Sequence, residues 1–454
     1  MSASSSRGGG GGDREAPPPP SSSRMRGAGD GGAGGVWPEH FVEAVATRIA
    51  TDSAASSGRL SAATALANLF QVCTTWRNVS RSELLWRDLA RRIWGRDVLR
   101  CATWHEEYIL CHRTARNFYA RRAVYTPLQV VDAADGDADA AALACRCLAI
   151  SDNHLACGFL DGSVRVFGFH PTRHVSTFYP HEPRDRLGRF SQSVSGAALV
   201  GPNKLVFASM DGDVHVAVID EPSTPARRAH IGNVVEDGPM LSFSGSDRYW
   251  VGLYAGVPGR ALHVWDGVTE ALTYIGGSLT DLDSVAGWHA LNDPNESVGR
   301  VRVSARGPRH YACACTRRAV EVYDLEEPGV VVHGEEARRG GTWWVDAMDV
   351  WVERVLTVDG RGLARVRRVV GMVEVRRFVV RGGGGVGMEQ RVVGCMNGGY
   401  VVTCAGGAVR VWDAERGVVL YGFRERVGEV VCAAADDGHV AVCSAETGLH
   451  LWSF

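Results

Sequence analysis

Residues 155–167 read LACGFLDGSVRVF: an apolar run, an Asp161-Gly162 pair, then a V-x-V strand ending on an aromatic ring. An Asp-Gly join between apolar stretches signals a hairpin, because glycine takes up the left-handed backbone that a tight turn needs. The arrangement returns as VFASMDGDVHV at 206–216 and as VGLY at 251–254 with LHVWD at 262–266. It is found again as YACACT at 311–316 with VEVYD at 320–324 and, more loosely, as VLTVDG at 355–360 with LARV at 363–366. The last two copies are VVTCAGGAVRVWD at 401–413 and VAVCSAETGLHLW at 440–452. One such hairpin carries little information. Seven in succession, roughly 40–60 residues apart, mark a repeat in which each unit buries its apolar face only against its neighbours. Four-stranded blades around an axis meet that need, so an all-β seven-bladed propeller is expected over 123–454, its V-x-V strands packed against adjacent blades.

The V-x-V strand closing on an aromatic and Asp, as at Trp265-Asp266 and Trp412-Asp413, makes these blades WD-repeat-like. The sequence stops at Phe454 on such a strand, which would leave the last blade one outer strand short and open at its edge. The stretch AVYTPLQVV at 123–131 is apolar enough to fill that place, and it is expected to close the ring.

Upstream the period is helical, making a small all-α module. Phe41, Val42, Val45 and Ile49 lie along a first stretch, which Ser53–Gly58 interrupts. Leu66, Leu69, Phe70, Cys73 and Trp76 lie along a second, at helical spacing. Ser80-Arg81-Ser82 reads as a break with an N-cap, ahead of a third helix holding Leu85, Trp86 and Leu89. These elements define a helical module at 36–95. A fourth stretch, Thr103 to Arg122, reads as a helical linker over 96–122, with Trp104, Tyr108, Cys111 and Phe118 on one stripe and Arg113, Arg116, Arg121 and Arg122 opposite. Residues 1–35 are Ser, Gly and Pro with almost nothing apolar, a composition expected to be disordered.

The formal charge of −2 gives no global field for nucleic acid, and no apolar run is long enough for a membrane span or a secretory signal. The expected compartment is therefore the cytosol or nucleus, where the twelve scattered cysteines stay reduced. No C-x-x-C pair occurs. Cys101, His105, Cys111 and His112 come nearest to a metal cluster, but a structural role is the expectation, and no metal or cofactor is called for. Of 49 basic residues only Lys204 is a lysine. Codon bias in a GC-rich gene explains that most simply; resistance of a ubiquitin-ligase subunit to its own modification is the functional alternative.

No catalytic set stands out. The Gly382–Gly385 run lacks the lysine of a phosphate loop, and no G-x-S-x-G elbow is present. His263 with Asp266, and His450, fall within blade strands, where a structural role is expected. A non-catalytic adaptor is the resulting expectation.

Residues 37–94 resemble an F-box in WPE at 37–39, LANLFQV at 66–72, CTTW at 73–76 and LWRDL at 85–89. The interval from Pro38 to Cys73 is longer than usual, and the Pro-x-Asp-Leu segment is missing. The resemblance implies that Trp37, Pro38, Leu66, Leu69, Val72, Cys73, Trp76 and Trp86 present a helical face to a Skp-type adaptor, which joins a cullin. Trp76 could instead be a core residue. The whole chain resembles the plant STERILE APETALA family, through VWPE at 36–39, ALANLF at 65–70, VCTTW at 72–76, HRTARNF at 112–118 and CRCL at 145–148. That likeness implies a nuclear F-box subunit of a ubiquitin ligase, recognising transcriptional regulators in floral and organ development. Arg317, Arg318 and Arg361 on the turn face, with Arg184, Arg186 and Arg189, would suit an acidic or phosphorylated partner segment. A scaffold or corepressor without ligase activity is the alternative. Direct DNA binding, which would rest on the four arginines of the last helix, ranks below it.

Overall fold

The computed structural model describes residues 37–129, 144–180, 189–221, 223–280, 299–304, 309–316, 319–336, 345–380 and 391–454. The expected disordered leader lies outside them. Seven four-stranded antiparallel sheets are present, and the seven repeats are the central hairpins of the seven blades. In blade 1 the strands are Cys145–Ile150, His154–Phe159, Val164–Phe169 and Thr172–Phe178. The Asp-Gly turn works as its residue types require. Asp161 Oδ1 accepts from Ser163 N at 2.8 Å, and Gly162 holds a φ of 87°. Asp359 plays the same part in blade 5, although there the left-handed residue is Gly362, at the end of the turn. The Asp that ends the V-x-V strand plays a different part. Asp266 and Asp413 accept backbone N–H groups of the next turn and so carry the chain to the outer strand.

The innermost strands precede the repeats: Cys145–Ile150, Val194–Val200, Met240–Gly245, Gly299–Val303, Val345–Trp351, Val393–Met396 and Val430–Ala435. Each touches the next, and the last touches the first, so the ring is closed. Side chains of V-x-V strands fill the seams, as where Val164 and Val166 pack with Leu205 and Phe207 of blade 2. Closure comes from the expected place. Val124–Leu128 pairs antiparallel with the last strand, Val124 opposite Ser453 and Leu128 opposite Leu449. Tyr125 Oη and His450 Nδ1 share a 2.8 Å hydrogen bond across the join.

The helices ahead of the ring are α1 (Glu39–Ser57), α2 (Ser61–Phe70), α3 (Thr74–Val79), α4 (Glu83–Trp94) and α5 (Trp104–Tyr119). Two expectations need correction. The Ser53–Gly58 interruption does not break α1, since Ser53 and Ser56 stay helical and the helix ends at Gly58. The second stretch is two helices rather than one, because Cys73 is extended and serves as the N-cap of α3. Ser82 caps α4 as expected, accepting from Leu85 N.

Residues 96–122 are more than a linker, because α5 shares the helical core through Tyr108, Cys111 and Ala115. Its last turn enters the propeller. Phe118, fully buried, stacks on Tyr400 at 4.5 Å and Phe454 at 4.1 Å. The Tyr400 and Tyr421 hydroxyls donate to the carbonyls of Ala115 and Phe118. The module therefore sits on the face built from turns between first and second strands: Asp152 in blade 1, Gly398 in blade 6 and Asp437 in blade 7. A Cβ on Gly398 would lie 2.5 Å from the Arg59 guanidinium. Arg96, buried, reaches Asp152 and Asp437, each at 2.7 Å. The opposite face carries the Asp-Gly turns and the connections between blades. No described helix is long and apolar enough to cross a membrane.

Candidate protein-interaction surfaces

The eight residues expected to contact an adaptor divide in two. Trp37 (53% exposed), Pro38, Val72 (64%) and Cys73 lie on the surface. Leu66, Leu69 and Trp86 are buried with Val42, Leu85, Leu89 and Trp94. The Trp86 ring meets Phe70, His105 and Tyr108, and its Nε1 donates to Ser80 O. These three hold the module together and leave nothing for a rigid partner to grip, which corrects the expectation for them. Trp76 is half-buried against the same core, between the two roles set out for it.

Two residues read from the sequence only as apolar positions of the first helix, Phe41 and Ile49, are on the surface. On α1, the face formed by Val42, Ala46 and Ala50 is buried. Beside it a second apolar stripe, at four-residue spacing, runs through Trp37, Phe41, Val45 and Ile49. Trp37 stacks on Phe41 at 4.9 Å, and Phe41 and Ile49 are exposed. A double stripe of this kind can both pack inward and dock outward, and its four-residue period was the available signal.

On the opposite side of the molecule, Arg361 is exposed on the blade 5 turn, its N–H donating to Asp359. Arg184, Arg186, Arg317, Arg318 and the Arg189 side chain lie outside the described residues, as does Gly382–Gly385. Arg113, Arg116, Arg121 and Arg122 are exposed around the end of α5. Lys204 is tied down: its ammonium is 3.2 Å from Glu270 and lies over the Trp250 ring.

The chemistry-bearing residues are built into the fold. His263 is fully buried, stacks on Tyr254 at 4.0 Å, and has neither ring nitrogen hydrogen-bonded. Burial pushes its pKa down to about 4. His450 bridges Tyr125 and Thr447. The four residues nearest to a metal pattern do not converge. His105 lies against Trp86, His112 against Trp94, and Cys111 is buried beside Glu107 and Arg100. Among the described residues no group of three or more His, Cys, Asp or Glu side chains could hold a metal ion.

A helical module fused to a closed seven-bladed ring is the architecture to compare. Transcriptional regulator STERILE APETALA of Arabidopsis thaliana is 47% identical over 427 residues, covering 93% of each chain. The chain belongs to the STERILE APETALA family. No protein-family model matches it. Among solved structures, the computationally designed Ika8 protein aligns with 68% of the chain and 96% of its own, at 15% identity and a TM-score of 0.44. BamB from Moraxella catarrhalis aligns with 68% of the chain and 85% of its own, at 11% identity and a TM-score of 0.43. The alignment with the STERILE APETALA relative is long enough to take in both the module and the ring of this chain.

Proposed function

We propose that this chain is a non-catalytic, nuclear adaptor: the substrate-recognition subunit of a Skp–cullin–F-box ubiquitin ligase, whose propeller holds a transcriptional regulator. The exposed stripe through Trp37 and Phe41 carries the reading. It is an apolar helix face left open by a module whose own core is full, as helix-in-groove docking requires. Val72 and Cys73 are also exposed, at the join of α2 and α3. The propeller's turn face points away from it, which leaves room for a second protein.

Affinity capture of the tagged chain should recover a Skp-type adaptor and a cullin. Trp37→Ala with Phe41→Ala should lose them by tenfold or more while melting at the same temperature, since hot-spot truncations cost about 2 kcal/mol or more of binding. Trp76→Ala should lower both melting temperature and capture, in line with its half-buried place. Adaptor capture unaffected by the Trp37 and Phe41 changes would sink the docking face.

A scaffold or corepressor without ligase activity is the second reading. It is favoured by the relative's description as a transcriptional regulator. Reproducible failure to recover adaptor and cullin would select it.

A further inference from the structure

Five of the twelve cysteines fall on four strands at one seam of the propeller. Cys145 and Cys147 are on the inner strand of blade 1, and Cys157 is on the strand beside it. Cys432 is on the inner strand of blade 7, and Cys443 lies directly opposite it on His439–Ser444. This is the seam at which the ring closes, where the last inner strand meets the first. Four of the five sulfurs converge there. The Cys145 sulfur lies 3.7 Å from that of Cys432 across the seam, and within hydrogen-bonding reach of Cys157 and Cys443. Leu155, Phe159, Phe169 and Leu449 pack around the group.

A free cysteine can serve simply as a small apolar side chain. The neighbouring seams show what that role requires. Cys145 precedes a bulge in its strand, and Cys432 follows the corresponding bulge in blade 7. The next two seams fill the same strand positions with Val194 and Cys147, then with Met240 and Gly196. Packing at these positions therefore does not call for a thiol on both sides. The closing seam has one on each, in contact. Cys145 is buried, whereas Cys432 is half-buried, so of the two it is the sulfur that a small oxidant meets first.

We propose that Cys145 and Cys432 are a peroxide-sensitive disulfide site that clasps the ring shut at its inner strands. The Cys432 sulfur attacks one oxygen of hydrogen peroxide; the O–O bond breaks, and the other oxygen leaves as water with the thiol's proton. The Cys145 sulfur then attacks the resulting sulfenic acid; the S–O bond breaks, and a second water leaves with the Cys145 proton. Two thiols are oxidised and one peroxide is reduced. In a reducing compartment the pair stays open. The strand Val124–Leu128 joins blade 7 at its other edge without a covalent bond, so the disulfide adds a second closure to the same blade. It ties together residues 287 positions apart, and a cross-link over so long a loop restricts the unfolded chain strongly. The proposal is independent of what the helical module or the turn face binds.

The test uses the full chain, reduced, freed of reductant and titrated with hydrogen peroxide. Remaining thiols are alkylated, and the digest is mapped by mass spectrometry without reduction. A peptide linking Cys145 to Cys432 should appear, and dithiothreitol should remove it. Oxidation should raise the melting temperature by about 5 °C or more, and reduction should reverse the rise. Cys432→Ser should lose both the link and the rise. Tyr125→Phe, which lacks the hydroxyl that meets His450, should melt early when reduced and regain the difference when oxidised. The linkage map of the natural chain decides the chemistry whether or not a variant folds. Recovery of Cys145 and Cys432 as free thiols while the exposed Cys73 is oxidised would overturn the proposal. A bond between Cys432 and Cys443, confined to blade 7, would do the same. A link between Cys145 and Cys432 with no change in melting would overturn its role as a clasp.

Discussion

His263 shows what a chemistry-bearing side chain does once it is sealed into a blade. Asp237, Arg260, His230 and the Tyr254 ring surround it, and burial keeps it neutral. The unfolded chain has no such constraint and protonates near pH 6.5. As pH falls from about 6.5 towards 4, the unfolded state therefore takes up a proton that the folded state refuses, and stability drops by on the order of 3 kcal/mol. Burial lowers the pKa of His112, His154, His230 and His450 as well, so they add to the same slope. Urea midpoints at pH 7 and pH 4.5 should differ less for His263→Gln than for the natural chain; equal differences would count against His263 as an acid-sensitive point. The residue scale is also where sequence reading went furthest astray. Leu66, Leu69 and Trp86 satisfied the docking pattern and the core pattern alike, and only packing separates the two.

Among elements, the central hairpin of every blade was legible, because its turn chemistry and its V-x-V strand are local signals. The innermost strands were not: Val194–Val200 and Val430–Ala435 are short apolar runs without a turn signature, and period alone cannot assign such runs. The division between α2 and α3 was hidden because Cys73 and Trp76 continue the helical spacing across it. The closing strand was legible by subtraction, since one blade lacked an edge. Its five pairs, with the Tyr125–His450 bond, bear a heavy load. Deleting residues 123–131 should replace the single unfolding transition of the propeller with a broad, early one in scanning calorimetry. An unchanged melt would mean that the ring holds without its latch.

At the scale of the whole molecule, one chain of charges joins the two parts. Glu107 of α5, fully buried, binds Arg100; Arg100 and Arg96 hold Asp152; and Arg96 also holds Asp437. Burial opposes the charge on Arg96, yet Asp437 and Asp152 outweigh it and raise its pKa. Removing one partner of a buried network costs about 3–5 kcal/mol, and the partial exposure of Asp152 and Asp437 puts Arg96→Gln at the low end of that range. The expected result is a module that melts ahead of the ring, seen as two calorimetric transitions where the natural chain shows one; a single unshifted transition would refute the coupling. No sequence pattern announced this network, because its members lie as far apart as 341 positions.

The latch has a consequence for how the protein is made. Tyr125 leaves the ribosome some 325 residues before His450, the residue it must pair with. Throughout the synthesis of the blades between them, the first strand of the ring waits without its partner. Contacts of such sequence separation form slowly, and an unpaired strand is what a neighbouring nascent chain can capture. On a crowded polysome the same strand could complete another copy's last blade, so assembly of this fold should depend on chaperones that shield residues 124–128 until the chain is finished.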